Sequence, residues 1–343
     1  MLILKIIGVV VLVAAAVIVA GVIWFWRAVR QTANPPCPPC RVTLEPEEHP
    51  TWRNESQVMK YAAEFRAAGF EEVGVFTIPE MGGLHLMAFV HLAERFYACI
   101  YDHKATPPWF DICAEFADQS GLTGSNTALG DAVDRRPGDI KISMPQESVK
   151  AVFKALREHP TAAQRVAVTR EAFAETFKRE YARSMNWTMR KGGVSREEIR
   201  RQAREDKQSL TDEQLEEAYK SLRASYVEQL QKACIAQYLD EAKTPLLDWE
   251  RVQHRTLAVP ETLTLEEIAE LFEMSGCLDE EQRHALTKVE VTHGEGGLEI
   301  LERIMAGNVG ALGLKKVAEI SEPVRASIVL LPDPERSPLL KVA

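Results

Sequence analysis

Cysteine is scarce in this sequence, with six residues among 343, at positions 37, 40, 99, 113, 234 and 277. Small secreted domains that rely on disulfide bonds carry cysteine far more densely. The scattered distribution therefore excludes a disulfide scaffold. The chain must be held together by a hydrophobic core, and its 46% of hydrophobic residues is enough to build one.

Positive charge is also in short supply. Asp and Glu outnumber Lys and Arg by 50 to 41, which gives a formal net charge of −9. A protein that follows a phosphate backbone needs a basic surface. Nucleic acid is therefore not expected as a partner.

Sequence signatures of common catalytic and cofactor sites are missing as well. The chain has no H-E-x-x-H, G-x-S-x-G, S-x-x-K or G-K-[ST] motif. A glycine turn at residues 293–297 precedes a predicted helix, as in phosphate-binding loops, but Glu295 and Glu299 place negative charge where an anion would lie. A structural turn is the favoured interpretation. No cofactor and no metal site is predicted.

Charge is entirely missing from residues 6–26, and this segment has the clearest meaning in the sequence. A helix of this length is about 30 Å long, which matches the hydrocarbon core of a bilayer. A cleaved signal peptide has a shorter apolar region and small residues at its end, whereas this segment ends in Trp24, Phe25 and Trp26. The sequence predicts an uncleaved anchor within residues 1–31 that crosses the membrane once.

The orientation of this anchor is inferred from the flanking charges. Lys5 and the amino terminus precede the span, and Arg27, Arg30 and Arg41 follow it. Because the more positive side usually stays in the cytoplasm, the sequence favours a cytoplasmic location for the C-terminal body.

A proline-rich stalk is predicted at residues 32–49. Four prolines surround Cys37 and Cys40, and they favour an extended spacer over the helix start that a thioredoxin-type C-x-x-C motif needs. A stiff spacer with incidental thiols is the favoured interpretation. An interchain disulfide or lipidation remains an alternative, and so does redox or metal chemistry, for which His49 is the nearest further ligand candidate.

Residues 50–160 are predicted to form an α+β domain around an antiparallel meander of about five strands. An amphipathic pattern indicates a first helix at residues 56–68. Alternating hydrophobicity then indicates strands around residues 76–78, 84–90, 96–101, 110–117, 122–128 and 139–143. A helix at residues 147–158 ends the domain.

Residues 161–331 are predicted to form a mainly helical domain, which a proline-rich tail follows at residues 332–343. Helical periodicity and two capping boxes, beginning at Ser195 and Thr211, indicate a long helical hairpin over residues 162–242. Self-association through this hairpin is one hypothesis for its role.

Few side chains qualify as catalytic candidates. A thiol on one strand and an imidazole on the next would resemble the pair that a cysteine hydrolase uses. Cysteine is, however, among the most buried residue types, so a core position is the competing interpretation. The weak nucleophile and base candidates all lie on the predicted sheet: Cys99, Cys113, His103, His91, Asp102 and Asp111.

The sequence therefore favours a single-pass, membrane-anchored α+β protein whose body is a non-catalytic interaction or ligand-sensing module. Its expected partners are the lipid bilayer, through residues 6–26, and a protein partner or a second copy of the chain. One alternative is a membrane-tethered enzyme, either a thiol oxidoreductase at Cys37 and Cys40 or a hydrolase around Cys99 and His103. The other is an oligomerising structural protein.

Overall fold

The computed structural model describes residues 38–104, 106–161, 163–242, 246–275, 284, 286, 289, 291–292, 294–306 and 313–332. The predicted anchor, Cys37 and nearly all of the proline-rich tail lie outside these residues. Within the described residues, no helix is both long enough and apolar enough to cross a membrane.

The chain folds as an α+β protein, as predicted. The described part of the chain contains eight α-helices: α1 (Glu55–Ala67), α2 (Val149–Glu158), α3 (Phe173–Arg190), α4 (Arg196–Glu205), α5 (Asp212–Ala242), α6 (Leu246–Val252), α7 (Leu265–Met274) and α8 (Gly297–Ala306). The same residues form ten strands: β1 (Glu45–Pro46), β2 (Glu71–Ile78), β3 (Leu84–His91), β4 (Phe96–His103), β5 (Thr106–Glu115), β6 (Gly121–Ser125), β7 (Ile140–Ser143), β8 (Thr256–Pro260), β9 (Lys315–Ile320) and β10 (Ala326–Leu330).

Strands β1 to β7 form one sheet in which the spatial order follows the chain order. Neighbouring strands are antiparallel except β6 and β7, which are parallel. The long connection over residues 126–139 permits this arrangement, because parallel neighbours cannot be joined by a tight hairpin. A mainly antiparallel sheet is therefore confirmed, with seven strands instead of about five and one parallel pair.

Helices cover both faces of the seven-stranded sheet. Helices α1 and α2 pack on one face, where the large side chains of β3, β4 and β5 form a phenylalanine-rich core. Helix α3 covers the other face through Phe173 and Phe177. Gly124 on β6 lies under α2, and an added Cβ would be 2.7 Å from atoms of Leu156 and Val152. Glycine at this position therefore permits α2 to approach the sheet closely.

The predicted helix from Thr161 onward is wrong in its first part, because α3 begins only at Phe173. The described residues before it run along the end of β5. Val166 donates its amide to the carbonyl of Glu115, and Ala117 donates to the carbonyl of Gln164. Main-chain bonds to the strand thus replace the helical bonds that the side-chain spacing suggested.

Three helices, α3, α4 and α5, occupy the region of the predicted hairpin. The capping box at Ser195 is formed, with its hydroxyl and the Glu198 carboxylate each accepting from the other residue's backbone amide. Thr211 and Gln214 make the same reciprocal bonds at the start of α5. Helices α3 and α5 pack through a buried cluster of Met185, Met189, Tyr226, Leu230 and Cys234.

A second sheet, which the sequence did not predict, lies among these helices. It contains β8, β10 and β9 in that order, and both pairs are antiparallel. Residues 289, 291 and 292, which precede the glycine turn, are not part of a strand. The glycine turn before α8 packs on the end of β8, where the Gly297 amide donates to the carbonyl of Glu261. An added Cβ on Gly297 would lie 2.2 Å from the carbonyl oxygen of Pro260, so the turn is filled by backbone rather than by an anion.

Candidate ligand groove

Cys99 and Cys113 lie on neighbouring strands, on the sheet face that α3 covers. The register pairs Cys99 with Asp111 and Tyr97 with Cys113. Cys99 is only 1% exposed, and burial raises the pKa of its thiol well above the ordinary value. Burial likewise raises the pKa of Cys113 to about 12. A nucleophilic thiolate is therefore strongly disfavoured at both positions.

The candidate bases are not placed to activate these thiols. His103 is four residues beyond Cys99 on the same strand, which corresponds to about 13 Å. Asp102 belongs to the opposite sheet face from Cys99, since successive strand residues alternate in direction. His91 packs its ring against Phe70 and Phe153. The structure does not assemble a cysteine–histidine–carboxylate constellation from these candidates.

Cys40 lies in the buried cluster between α3 and α5, together with Cys234. It is 5% exposed, and Cys234 is fully buried. Burial is the main cause that raises the pKa of Cys234 to about 12, and the nearby Cys40 adds to the shift. Cys37 lies outside the described residues, so the geometry of the C-x-x-C pair is not defined.

A row of polar side chains crosses the sheet on the face of α1 and α2. The strand register places Thr77, His85 and Asp102 next to one another, and we call these three residues the polar row. Glu47 lies over it, accepting a 2.5 Å hydrogen bond from the Thr77 hydroxyl, with His85 Nδ1 2.7 Å from the same Oε2 atom. The Thr77 and His85 bonds keep the pKa of Glu47 below its ordinary value, although burial opposes them. Glu47 is therefore held as a carboxylate.

Asp102, at the other end of the polar row, is the best candidate for a binding residue. It is 2% exposed, and its Oδ2 accepts a 2.5 Å hydrogen bond from the backbone amide of Arg53. Its Oδ1 is buried without a hydrogen-bond partner among the described residues, and the same is true of Thr106 Oγ1. Buried polar atoms are normally satisfied by protein or by a bound molecule.

Asp102 and Thr106 line an open groove with a volume of about 400 Å³. We call it the Asp102 groove. The start of β5 forms one wall, and the turn before α1 forms another. Its lining residues are Arg53, Asn54, Asp102, Lys104, Thr106, Pro107 and Pro108.

The rim of the Asp102 groove carries positive charge. Lys104 and Arg53 are exposed, and neither forms an ion pair within the described part of the chain. Their field acts on His103, because its pKa is lowered first by burial and then by these two charges, against the opposing effect of Asp102. The groove thus combines a buried acceptor with cations at its edge.

A second charged cluster joins β5 to α3. Glu115 is 8% exposed at its side chain and accepts hydrogen bonds from Arg179 at 2.7 Å and from Arg183 at 3.0 Å. Glu180 lies 2.8 Å from the same Arg183 guanidinium. Burial raises the pKa of Glu180 to about 7, with the Glu115 charge adding to the rise. This cluster binds a helix to the sheet, so its role is structural.

The sequence analysis named Asp102 but missed the other residues that line the groove. Arg53, Lys104 and Thr106 belong to no motif, and Asp102 was considered only as a catalytic carboxylate. No group of three or more metal-ligating side chains occurs where the structure describes the chain. Comparisons with family models, curated proteins and solved structures gave no significant match.

Proposed function

We propose that this protein is a membrane-tethered, non-catalytic ligand-sensing module that binds a small polar molecule in the Asp102 groove. The observation that carries the proposal is Asp102, a buried residue that lines the groove and whose Oδ1 has no hydrogen-bond partner among the described residues. Leaving a buried carboxylate oxygen unsatisfied costs about 1–3 kcal/mol or more. A ligand that donates to this oxygen would recover that free energy on binding.

The membrane part of the proposal is supported by the charge-free segment at residues 6–26. The flanking arginines favour a cytoplasmic body. Lys154 is 71% exposed, so a Lys154→Cys variant offers a labelling site for a membrane-impermeant maleimide in whole cells. Labelling only after permeabilisation supports a cytoplasmic body, and labelling of intact cells contradicts it. The unsubstituted chain controls for reaction of the native cysteines.

The binding part is tested with the full chain in lipid nanodiscs. A library of amines, amino acids, carboxylic acids and sugars is screened for compounds that raise the unfolding temperature, as any ligand of the native state must. We expect at least one compound whose effect disappears in Asp102→Asn. If no compound stabilises the protein in an Asp102-dependent way, the proposed function is wrong.

A further inference from the structure

The Asp102 groove also indicates the chemical class of its ligand, and this step rests on the proposed function. We infer that the groove binds a small zwitterion of amino-acid type, whose ammonium group donates to Asp102 Oδ1 and whose carboxylate lies against Lys104 and Arg53.

The cationic half of the ligand follows from the acceptor. Asp102 Oδ2 already accepts from the Arg53 amide, whereas the buried Oδ1 has no hydrogen-bond partner among the described residues. A buried carboxylate is stabilised best by a charged donor, since charge-assisted hydrogen bonds are roughly twice as strong as neutral ones. Thr106 lines the same groove, and its buried hydroxyl, also without a partner in the described residues, is a second acceptor for the ammonium group.

The anionic half follows from the rim. Lys104 and Arg53 line the groove and have no ion-pair partner in the parts of the chain that are described. Two cations at the rim repel a bare metal ion or a simple amine. A purely anionic ligand would be repelled by the Asp102 carboxylate inside the groove. A zwitterion satisfies both charges at once.

Size limits the ligand further. The volume of about 400 Å³ lies near the lower end of the range of about 300–1,000 Å³ for small-molecule sites. A single water occupies about 30 Å³, so one water does not fill this space. Pro107 and Pro108 form part of the wall, and their fixed φ angles keep it rigid. A free amino acid or a molecule of similar size fits these limits.

The test measures binding of the twenty common amino acids to the full chain in nanodiscs by titration calorimetry. The best binder is then compared with its N-acetyl derivative, which lacks the cation, and with its amide, which lacks the anion. We expect each derivative to bind about tenfold more weakly or worse, the loss typical of one charged contact. Asp102→Asn and Thr106→Val are expected to weaken the parent amino acid.

Lys104 provides a second variant that does not depend on a buried side chain. Lys104→Gln is expected to weaken the parent amino acid about tenfold while leaving its amide unchanged, because the amide has no carboxylate to lose. Lys150→Gln is the matched control, since Lys150 is exposed on α2 and away from the groove residues. An equal loss for parent and amide would overturn the assignment of Lys104.

The outcomes separate this inference from the proposed function. If the amide binds as tightly as the amino acid, or if only non-zwitterionic compounds bind in an Asp102-dependent way, the zwitterion is wrong and the sensing function stands. If neither the amino acids nor the wider library bind, both are wrong. Binding that requires Asp102 and both charged groups of the ligand supports the zwitterionic ligand and the proposed function.

Discussion

The hydroxyl of Tyr181 on α3 donates a 2.6 Å hydrogen bond to the carbonyl oxygen of Pro39, 142 positions earlier in the chain. The next residue, Cys40, is buried against α5. The residues that follow the predicted anchor are therefore attached to helices α3 and α5 by this hydrogen bond and by the buried Cys40 side chain.

Tyr181→Phe tests this attachment. The ring is retained and the hydroxyl is lost, so we expect the free energy of unfolding to fall by about 0.5–1.5 kcal/mol. Urea unfolding followed by circular dichroism measures the change. Tyr238→Phe serves as the control, because Tyr238 is partly buried in the same cluster and its hydroxyl forms no hydrogen bond with the described residues. Equal effects of the two substitutions would mean that the Pro39 contact contributes nothing.

Arg223 is predicted to be the most sensitive charged residue of the helical layer. Its side chain, 12% exposed, binds both carboxylate oxygens of Glu267 on α7 and the carbonyls of Gly192 and Thr262. Arg223→Ala leaves the Glu267 carboxylate without its ion-pair partner in the interior. We expect a loss of about 3–5 kcal/mol in unfolding free energy, measured by urea denaturation.

The pair of Arg196 and Glu216 supplies a matched control. Its nitrogen–oxygen distance is 2.8 Å, similar to the 2.6 Å of Arg223 and Glu267, but its side chains are 45% and 42% exposed. Arg196→Ala is expected to cost only about 0–1 kcal/mol, because solvent screens exposed pairs. Comparable losses at the two arginines would contradict the assigned role of burial.

Glu180 is predicted to make stability depend on pH. Its pKa of about 7 in the folded protein exceeds the ordinary value of 4.5, so the folded state retains a proton that the unfolded chain releases. The resulting stability is fully present below pH 4.5 and is lost as the pH rises to about 7. Glu180→Gln removes this loss. Relative to that of the unsubstituted protein, the free energy of unfolding of the variant should rise by about 2–3 kcal/mol between pH 5 and pH 8.

Urea titrations at the two pH values measure this gain. Glu175→Gln on the same helix is the control, because the Glu175 side chain is 75% exposed. Its effect on stability should be nearly the same at both pH values. A Glu180→Gln effect that is also independent of pH would rule out the raised pKa.

Gly124→Ala tests the close packing of α2 on β6. The new methyl group would lie 2.7 Å from atoms of Leu156 and Val152, both fully buried. We expect a loss of about 1–3 kcal/mol from overpacking, measured by thermal or urea unfolding. Shortening the opposing side chain should relieve the clash, so Gly124→Ala and Leu156→Ala together should cost less than the sum of the single substitutions. Simple additivity would contradict the contact.

Local signals in the sequence were sufficient for much of this fold. Alternating hydrophobicity and short apolar runs predicted β3, β4 and β5, although β3 and β4 are buried on both faces. The capping boxes at Ser195 and Thr211 marked helix starts that the structure contains. In each case the determining interactions are between residues close in the chain, which is why a single sequence reveals them.

Long-range pairing explains what the sequence did not reveal. Strand β9 alternates charged and apolar residues weakly over six positions, and its partner β10 resembles any short apolar run until the two are paired. The Asp102 groove depends on the register of β3, β4 and β5 and on a backbone amide 49 positions away. Neither register nor such distant contacts are encoded in local periodicity.

With the proposed membrane anchor, the attachment of Pro39 would limit how far the body can move from the bilayer. Pro39 lies thirteen positions after Trp26 in the sequence, and a fully extended chain of that length reaches about 45 Å. On the proposed anchor, the folded body is confined to a thin shell at the membrane surface. A ligand that a neighbouring membrane protein releases or consumes would then encounter the body within that shell. The encounter would require diffusion along the membrane surface rather than through the volume of the cell.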